Sequence, residues 1–473
     1  MFFEVLKQVF DTFGAAVFVP IVLYFVALFL KVKPKQAFNA ALLAGIGLTG
    51  FNMLIGAYIP VVAPVVKRMV EITGVNLPVM DLGWQTTAIV GYSTKVGMVF
   101  IGLALLIQIA LFFLKWTNIF MPGDLWNNYS FMVWGSLIYL LTDNMILAVF
   151  CMVVMNLYIL LFSEILAKRW STYYGYPNCA MTAPHHLEAV PYAVAMNWVL
   201  NQFGLHKINV NPQGIQKKLG FLGEPMFLGF LLGIFLGVMG NLTRLATLEA
   251  WGEITALAIG TAAVMNIFPK VAGVFASAFM PLTEASKKTA KSGIKSREWY
   301  LAVNDAAGYG EPATLITGII LIPVMVILAL VLPGNTTLPM VDLIALPFMI
   351  EVVIAVSNGN IVKGIISGAI WFALGLYMCS YTAPLFTEVA TQVGVKIPAA
   401  GVMVTSFGIL AHPFMGLLFL AFLSQNLVII GGVLVLYFIL YFWFKKNKEQ
   451  IHTYLENANN DKEKETVATS VNV

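Results

Sequence analysis

Long apolar runs separated by short polar clusters organise the chain. Runs at about 12–30, 38–62, 97–114, 225–240, 247–268, 317–333, 361–378 and 427–444 approach the ~20 apolar residues that cross a bilayer as a helix. Shorter or interrupted runs lie near 131–163, 188–203, 342–356 and 405–423. The pattern predicts about ten to twelve helical crossings or partial crossings, and so an all-α polytopic membrane protein. Composition agrees: 59% of residues are hydrophobic and 11% charged, against roughly 25% charged in a soluble domain.

The runs repeat. Asp124-Leu125-Trp126 opens one stretch and Asp342-Leu343 another, at a spacing of 342 − 124 = 218 residues. Each stretch breaks at a polar cluster, Thr142-Asp143-Asn144 in the first and Ser357-Asn358-Gly359-Asn360 in the second. Gly45-Ile46-Gly47 with Asn52 is echoed by Ala258-Ile259-Gly260 with Asn266. Two copies are expected, at about 1–203 and 224–444, within a membrane unit of 1–445. Charge placement points to opposite orientations. Lys31, Lys33 and Lys35 follow the first span, whereas the counterpart near 241–253 holds Arg244, Glu249 and Glu253. The connector with Lys67, Arg68 and Glu71 is nearly balanced; its counterpart carries Lys287, Lys288, Lys291, Lys295 and Arg297. A basic side that swaps between copies is the signature of an inverted repeat, an architecture typical of transporters.

The lysines after the first span and Lys445, Lys446 and Lys448 after the last are expected on the cytoplasmic side, with the N-terminus outside. The first apolar run shows no cleavage site and is expected to stay as an anchor. Residues 446–473 are polar and lack apolar periodicity, so a disordered cytoplasmic tail is expected. The three cysteines, Cys151, Cys179 and Cys379, have no metal or redox spacing and are expected as small core residues.

Four polar segments interrupt the apolar field. Asp81 to Thr94 is too short and polar to span, and is expected to re-enter the membrane as a hairpin; its Gln85, Thr86 and Thr87 offer groups suited to a polyol. Asn304 to Pro312 stands at the matching place in the second copy. There Asp305 and Glu311 are intramembrane carboxylates, costly enough to be functional candidates and potential proton acceptors. The breaks at Asp143-Asn144 and Asn358-Gly359-Asn360 supply short polar side chains that unwind helices and hydrogen-bond hydroxyls; extramembrane turns are the plainer alternative. In Pro184-His185-His186, His185 is a candidate substrate contact or proton acceptor. Adjacent histidines point apart on a regular helix, so joint chelation and a metal site are not expected. No cofactor is expected: no G-x-x-x-x-G-K-[ST] loop is present, and nothing supports nucleic-acid binding.

With these stretches in hand, the chain resembles the membrane (IIC) component of galactitol-type permeases of the bacterial phosphoenolpyruvate-dependent phosphotransferase system, in the ascorbate/galactitol superfamily. The likeness rests on Gly45-Ile46-Gly47, Val79-Met80-Asp81-Leu82-Gly83-Trp84, Asp124-Leu125-Trp126-Asn127, Ile215 to Gly220 leading to Gly223-Glu224-Pro225, Thr261 to Met265, and Val331 to Asp342-Leu343. The resemblance implies a homodimeric permease in the bacterial plasma membrane, with a scaffold and a core that carries galactitol or a related hexitol as an elevator. It implies soluble IIA and IIB partners, with phosphate supplied by IIB, so that the chain is the transport subunit of a phosphotransferase complex. It places Gln85–Thr87 in a first hairpin, Asn304–Glu311 in a second, and His185 at the Pro-His position; His186 departs from the glycine often found next. Broken helices and repeats fit an ion-coupled secondary transporter of a polar solute equally well.

Overall fold

In the computed structural model the described residues run from 17 to 457, apart from 73, 75–76, 125, 209, 213, 215–220, 222–223, 279–280, 282–297, 398–400 and scattered positions between 18 and 30. Among them seven helices are long and apolar enough to cross a bilayer: α1 (Pro34–Glu71), α3 (Lys95–Phe113), α5 (Met145–Tyr174), α9 (Leu248–Ser277), α10 (Pro312–Val331), α13 (Ile361–Gln392) and α16 (Leu427–Asn457). Three shorter apolar helices accompany them, namely α4 (Tyr129–Thr142), α8 (Pro225–Met239) and α15 (Pro413–Leu423). The chain is an all-α polytopic membrane protein, as its apolar runs predict.

Short helices fill the polar gaps: α2 (Trp84–Ser93), α6 (Pro184–Leu187), α7 (Val190–Gln202), α11 (Leu346–Met349), α12 (Glu351–Val356) and α14 (Phe407–Leu410). Their ends follow from sequence. Asn144 caps α5 by accepting from Leu147 N–H, Asn360 caps α13 through Lys363 N–H, and Glu311 caps α10 through Thr314 N–H with Pro312 in the first turn. Asp143 takes a left-handed conformation as it closes α4.

Among the described residues, six strands of two to four residues were not expected from the apolar pattern, being too short to alternate. They are β1 (Val79–Asp81), β2 (Ile119–Phe120), β3 (Cys179–Met181), β4 (Tyr300–Val303), β5 (Thr337–Leu338) and β6 (Met403–Thr405). They form two parallel three-stranded sheets. In one, β1 lies between β5 and β6, with Val79 opposite Thr337 and Met403; in the other, β4 lies between β2 and β3, with Leu301 opposite Phe120 and Cys179. Each sheet thus takes its central strand from one half of the chain and its outer strands from the other. The strands recur at near-constant spacing: 300 − 79 = 221, 337 − 119 = 218 and 403 − 179 = 224.

Helices α1, α8 and α9 pack together as one group. Contact is close because small residues let the backbones approach: a Cβ on Gly233 would lie 2.5 Å from Ala258 Cα, and one on Gly47 2.6 Å from Phe275 Cβ. Phe51 stacks on Phe268 with centroids 4.7 Å apart, and the Tyr58 and Thr261 hydroxyls meet at 3.0 Å.

One expectation fails at the C-terminus. Residues 446–457 continue α16 with a kink at Asn447, instead of forming a loose tail. Polar partners hold this end: Lys445 Nζ donates to Glu164 Oε1 at 2.7 Å, His452 Nε2 donates to the Glu164 carbonyl at 3.1 Å, and Lys448 Nζ donates to Glu298 Oε2 at 3.0 Å. Periodicity misses this because the stabilisation is ionic. The basic cluster at 287–297 lies outside the described residues, as do residues 458–473. All three cysteines are buried and unpaired with one another.

Candidate functional site

The two sheets position the polar chemistry, because each strand ends next to an acidic or hydroxyl residue. Asp81 closes β1, and Asp305 follows β4 by two residues; Asp124 and Asp342 each follow a strand by four. Near β5 and β6 the carboxylates serve as backbone caps. Asp81 accepts N–H bonds from Gly83, Met340, Asp342 and Phe407, all at 2.8–3.1 Å. Asp342 accepts from Trp84 N–H, Gly408 N–H and the Ser406 hydroxyl. Every oxygen there is spent on holding the loops, a structural use of buried charge.

At the other sheet the arrangement opens. A cavity of about 250 Å³ is lined by Trp84, Asn127, Tyr129, His185, His186 and Asp305, among others. His186 Nε2 donates to Asp305 Oδ2 at 2.9 Å, and His185 Nε2 lies 3.6 Å from the same oxygen. Asn127 Nδ2 reaches Asp305 Oδ1 at 3.5 Å while donating to Asp124 Oδ2 at 2.7 Å. Thr182 also donates to Asp124 Oδ2, at 3.1 Å. Asn304 orients the loop by accepting from Ala306 N–H at 3.0 Å. The Nδ1 atoms of both histidines are buried and make no protein hydrogen bond of ordinary geometry. Apolar walls come from Ile55 and Ile59 of α1 and Phe348 and Met349 near α11.

A further layer fixes the cavity floor. His412 lies 3.1 Å from Glu188 Oε1 through Nδ1 and 2.8 Å from the Gly408 carbonyl through Nε2; Glu188 Oε2 also accepts from Met415 N–H at 2.7 Å. The His412 ring centroid sits 6.1 Å from that of His185.

The structure sorts the sequence candidates. It brings Asp305 and His185 into the cavity. Glu311 instead borders a second cavity of about 270 Å³, with Tyr174, Tyr176 and Phe268, and the two cavities share no lining residue. Thr86 and Thr87 are buried, and their hydroxyls return to their own backbone at Leu82 and Trp84; the side chain of Gln85 lies outside the described residues. Asp143 and Asn144 are exposed at a turn and line neither of these two cavities. Asn358 accepts from Arg169, and Asn360 donates to the Ile208 carbonyl at 2.7 Å while capping α13. Of the ten candidate residues, then, Asn144, Glu311 and Asn360 cap helix ends, and Asp305 and His185 line the first cavity.

Sequence reasoning also missed His186, Asn127 and Tyr129. For His186 the error is physical. The rule that neighbours diverge holds on a long helix, but Pro184–Leu187 is a single turn, and the two rings sit 4.2 Å apart. His185, His186 and Asp305 offer three ligand atoms within 4.8 Å of one another, a set able to hold a divalent cation. The hydrogen bond already closed between His186 and Asp305 matches equally a site for hydroxyl groups.

A polytopic helical chain with a cavity lined by amide, imidazole and carboxylate groups has the build of a membrane permease for a small polar solute. The chain belongs to the family of PTS system sugar-specific permease components (EIIC-GAT), whose family model matches residues 8–401. It is 28% identical over 439 residues to the galactitol-specific EIIC component of the PTS in Escherichia coli strain K12, covering 92% of this chain and 94% of that protein. It is 29% identical over 397 residues to a permease IIC component of the same strain, one whose own assignment is provisional; the match covers 84% of this chain and 89% of that protein.

Proposed function

We propose that the chain is the membrane subunit that carries galactitol or a related hexitol across the bacterial plasma membrane and presents it to a phosphorylated IIB partner. The observation that carries this reading is the convergence of His185, His186, Asn127 and Asp305 on one cavity, within a chain of the sugar-permease family. A carboxylate and two imidazoles accept and donate to vicinal hydroxyls, and Asp305 or a histidine accepts the hydroxyl proton as the phosphoryl group arrives. Burial of such a solute requires each hydroxyl to find a partner, since one left unpaired costs about 1–3 kcal/mol.

The interleaved strands support an inverted repeat, in which 81–95 and 303–314 are equivalent re-entrant segments. Under this reading the α1–α8–α9 group is the scaffold of a homodimer, the rest moves as an elevator, and the N-terminus lies outside. Membranes holding the chain, supplied with IIA, IIB and phosphoenolpyruvate, should phosphorylate hexitols in preference to pentitols or hexoses. Accumulation of unmodified solute driven by an ion gradient would instead establish secondary transport.

A further inference from the structure

Glu351 begins α12, is 0% exposed, and neither of its carboxylate oxygens has a hydrogen-bond partner. The carboxyl group lies against the backbone at Gly308: a Cβ built on that glycine would sit 2.3 Å from Glu351 Oε2. It therefore stands directly behind the loop that carries Asp305. Its polar neighbours are Asp305 and Glu311 on that loop and the Trp170 indole on α5. The Trp170 indole N–H is turned toward the Glu351 carboxyl group without closing a hydrogen bond of ordinary geometry. Tyr174, also on α5, donates its hydroxyl to the Glu351 carbonyl and not to the carboxyl group.

Arg169, Lys363 and the two histidines, on elements packed against α12, are committed elsewhere. Arg169 donates to the Ala355 carbonyl and to Asn358; Lys363 donates to Asn197 and Asn201; His185 and His186 converge on Asp305. An ionised carboxylate whose nearby donor is a single indole N–H, that of Trp170, and which faces two further carboxylates in a low-dielectric interior, is among the costliest states a side chain can adopt. The same group with a proton bound is affordable.

We propose that Glu351 is a proton-binding site, held as the neutral acid behind the substrate loop so that Asp305 remains ionised toward the cavity. The ligand is a proton, delivered from water and bound at one carboxylate oxygen. Glu351 is a positioning residue: it acts on the solute through the loop at 304–308 and does not touch it. The role of the loop rests on the reading of the cavity as the substrate site; the protonation of Glu351 does not.

The test combines infrared spectroscopy with transport in the full-length protein. The wild-type minus Glu351→Gln difference spectrum at neutral pH should contain the stretching band of a protonated carboxyl group. Glu351→Asp should shift that band rather than abolish it, which assigns the band even if the glutamine variant misfolds. Uptake by Glu351→Gln, a mimic of the neutral acid, should stay within about threefold of wild type at neutral pH. Wild-type uptake should fall toward alkaline pH as the proton leaves, and the glutamine variant should lack that fall. A carboxylate band in place of the acid band overturns the proposal, as does a glutamine variant that folds but loses uptake while the aspartate variant keeps it. If no sugar is transported by any form, the infrared result still decides the proton site while the function reading fails separately.

Discussion

Asp305 is the residue on which the cavity turns, because both histidines and Asn127 point at its two oxygens. Asp305→Asn keeps the shape but removes the charge that organises three donors. Hydrogen bonds to a charged group are worth about 1.5–3 kcal/mol each, so loss of one should weaken hexitol binding on the order of tenfold to a hundredfold. Isothermal calorimetry on the purified protein measures this, and wild-type affinity in the variant would remove Asp305 from the site. His186→Ala should cost affinity similarly, whereas Thr87→Ala should not, since the Thr87 hydroxyl is spent on the Trp84 carbonyl. Asp305 and His185 were legible in the sequence because ionisable groups are rare and costly among apolar runs. His186 was not, because its direction depends on the helix being one turn long. Thr86, Asn358 and Asn360 bond protein groups in this structure; a polar residue in an apolar field must satisfy something, and a sequence does not say whether that is a solute or the protein itself.

Helix ends account for Asn144, Glu311 and Asn360, and they yield predictions of a different kind. Asn360 both caps α13 and donates to the Ile208 carbonyl. Asn360→Ala should cost about 0.5–2 kcal/mol of stability through loss of the cap. A thermal-shift assay in detergent should show a lowered midpoint with unchanged hexitol affinity; a changed affinity at full stability would return Asn360 to the site. At α16, burial pulls the Glu298 carboxyl upward, but hydrogen bonds from Tyr300 and Lys448 outweigh it and leave the group below its ordinary range. The sign follows: a depressed carboxylate contributes stability above its unfolded pKa and loses it as pH falls through the folded value. Anchoring of the α16 end should therefore weaken in acid, and Glu298→Gln should abolish that dependence. Proteolysis within 446–457 as a function of pH reads it directly. The helix class of these elements was evident from apolar run length. The end of α16 was not, since its order comes from ionic partners on α5 and the segment before β4, distant in sequence.

At the scale of the whole molecule, the exchange of central strands ties the two halves into one unit. β1 has no sheet without β5 and β6, and β4 has none without β2 and β3. Unpaired backbone groups at these places would be left inside an apolar environment, at a cost of several kcal/mol each. The halves cannot mature separately on this account. The spacing of about 218 residues was visible in sequence, yet the interleaving was not, because strands of two to four residues carry no periodic signal. Expressed alone, residues 1–214 should fail to accumulate as a stable protein, and so should 221–473. Co-expressed, they should associate, copurify from detergent extracts, and regain hexitol binding to within a few-fold of the intact chain. A first half that is monodisperse and resistant to protease by itself would show that its strands find partners without β4, β5 and β6. The cavity would be lost in that fragment regardless, since His185, His186 and Asn127 lie in the first half and Asp305 in the second. Under the proposed function binding is thus a property of the assembled pair, and the same strand exchange that completes the fold also completes the cavity.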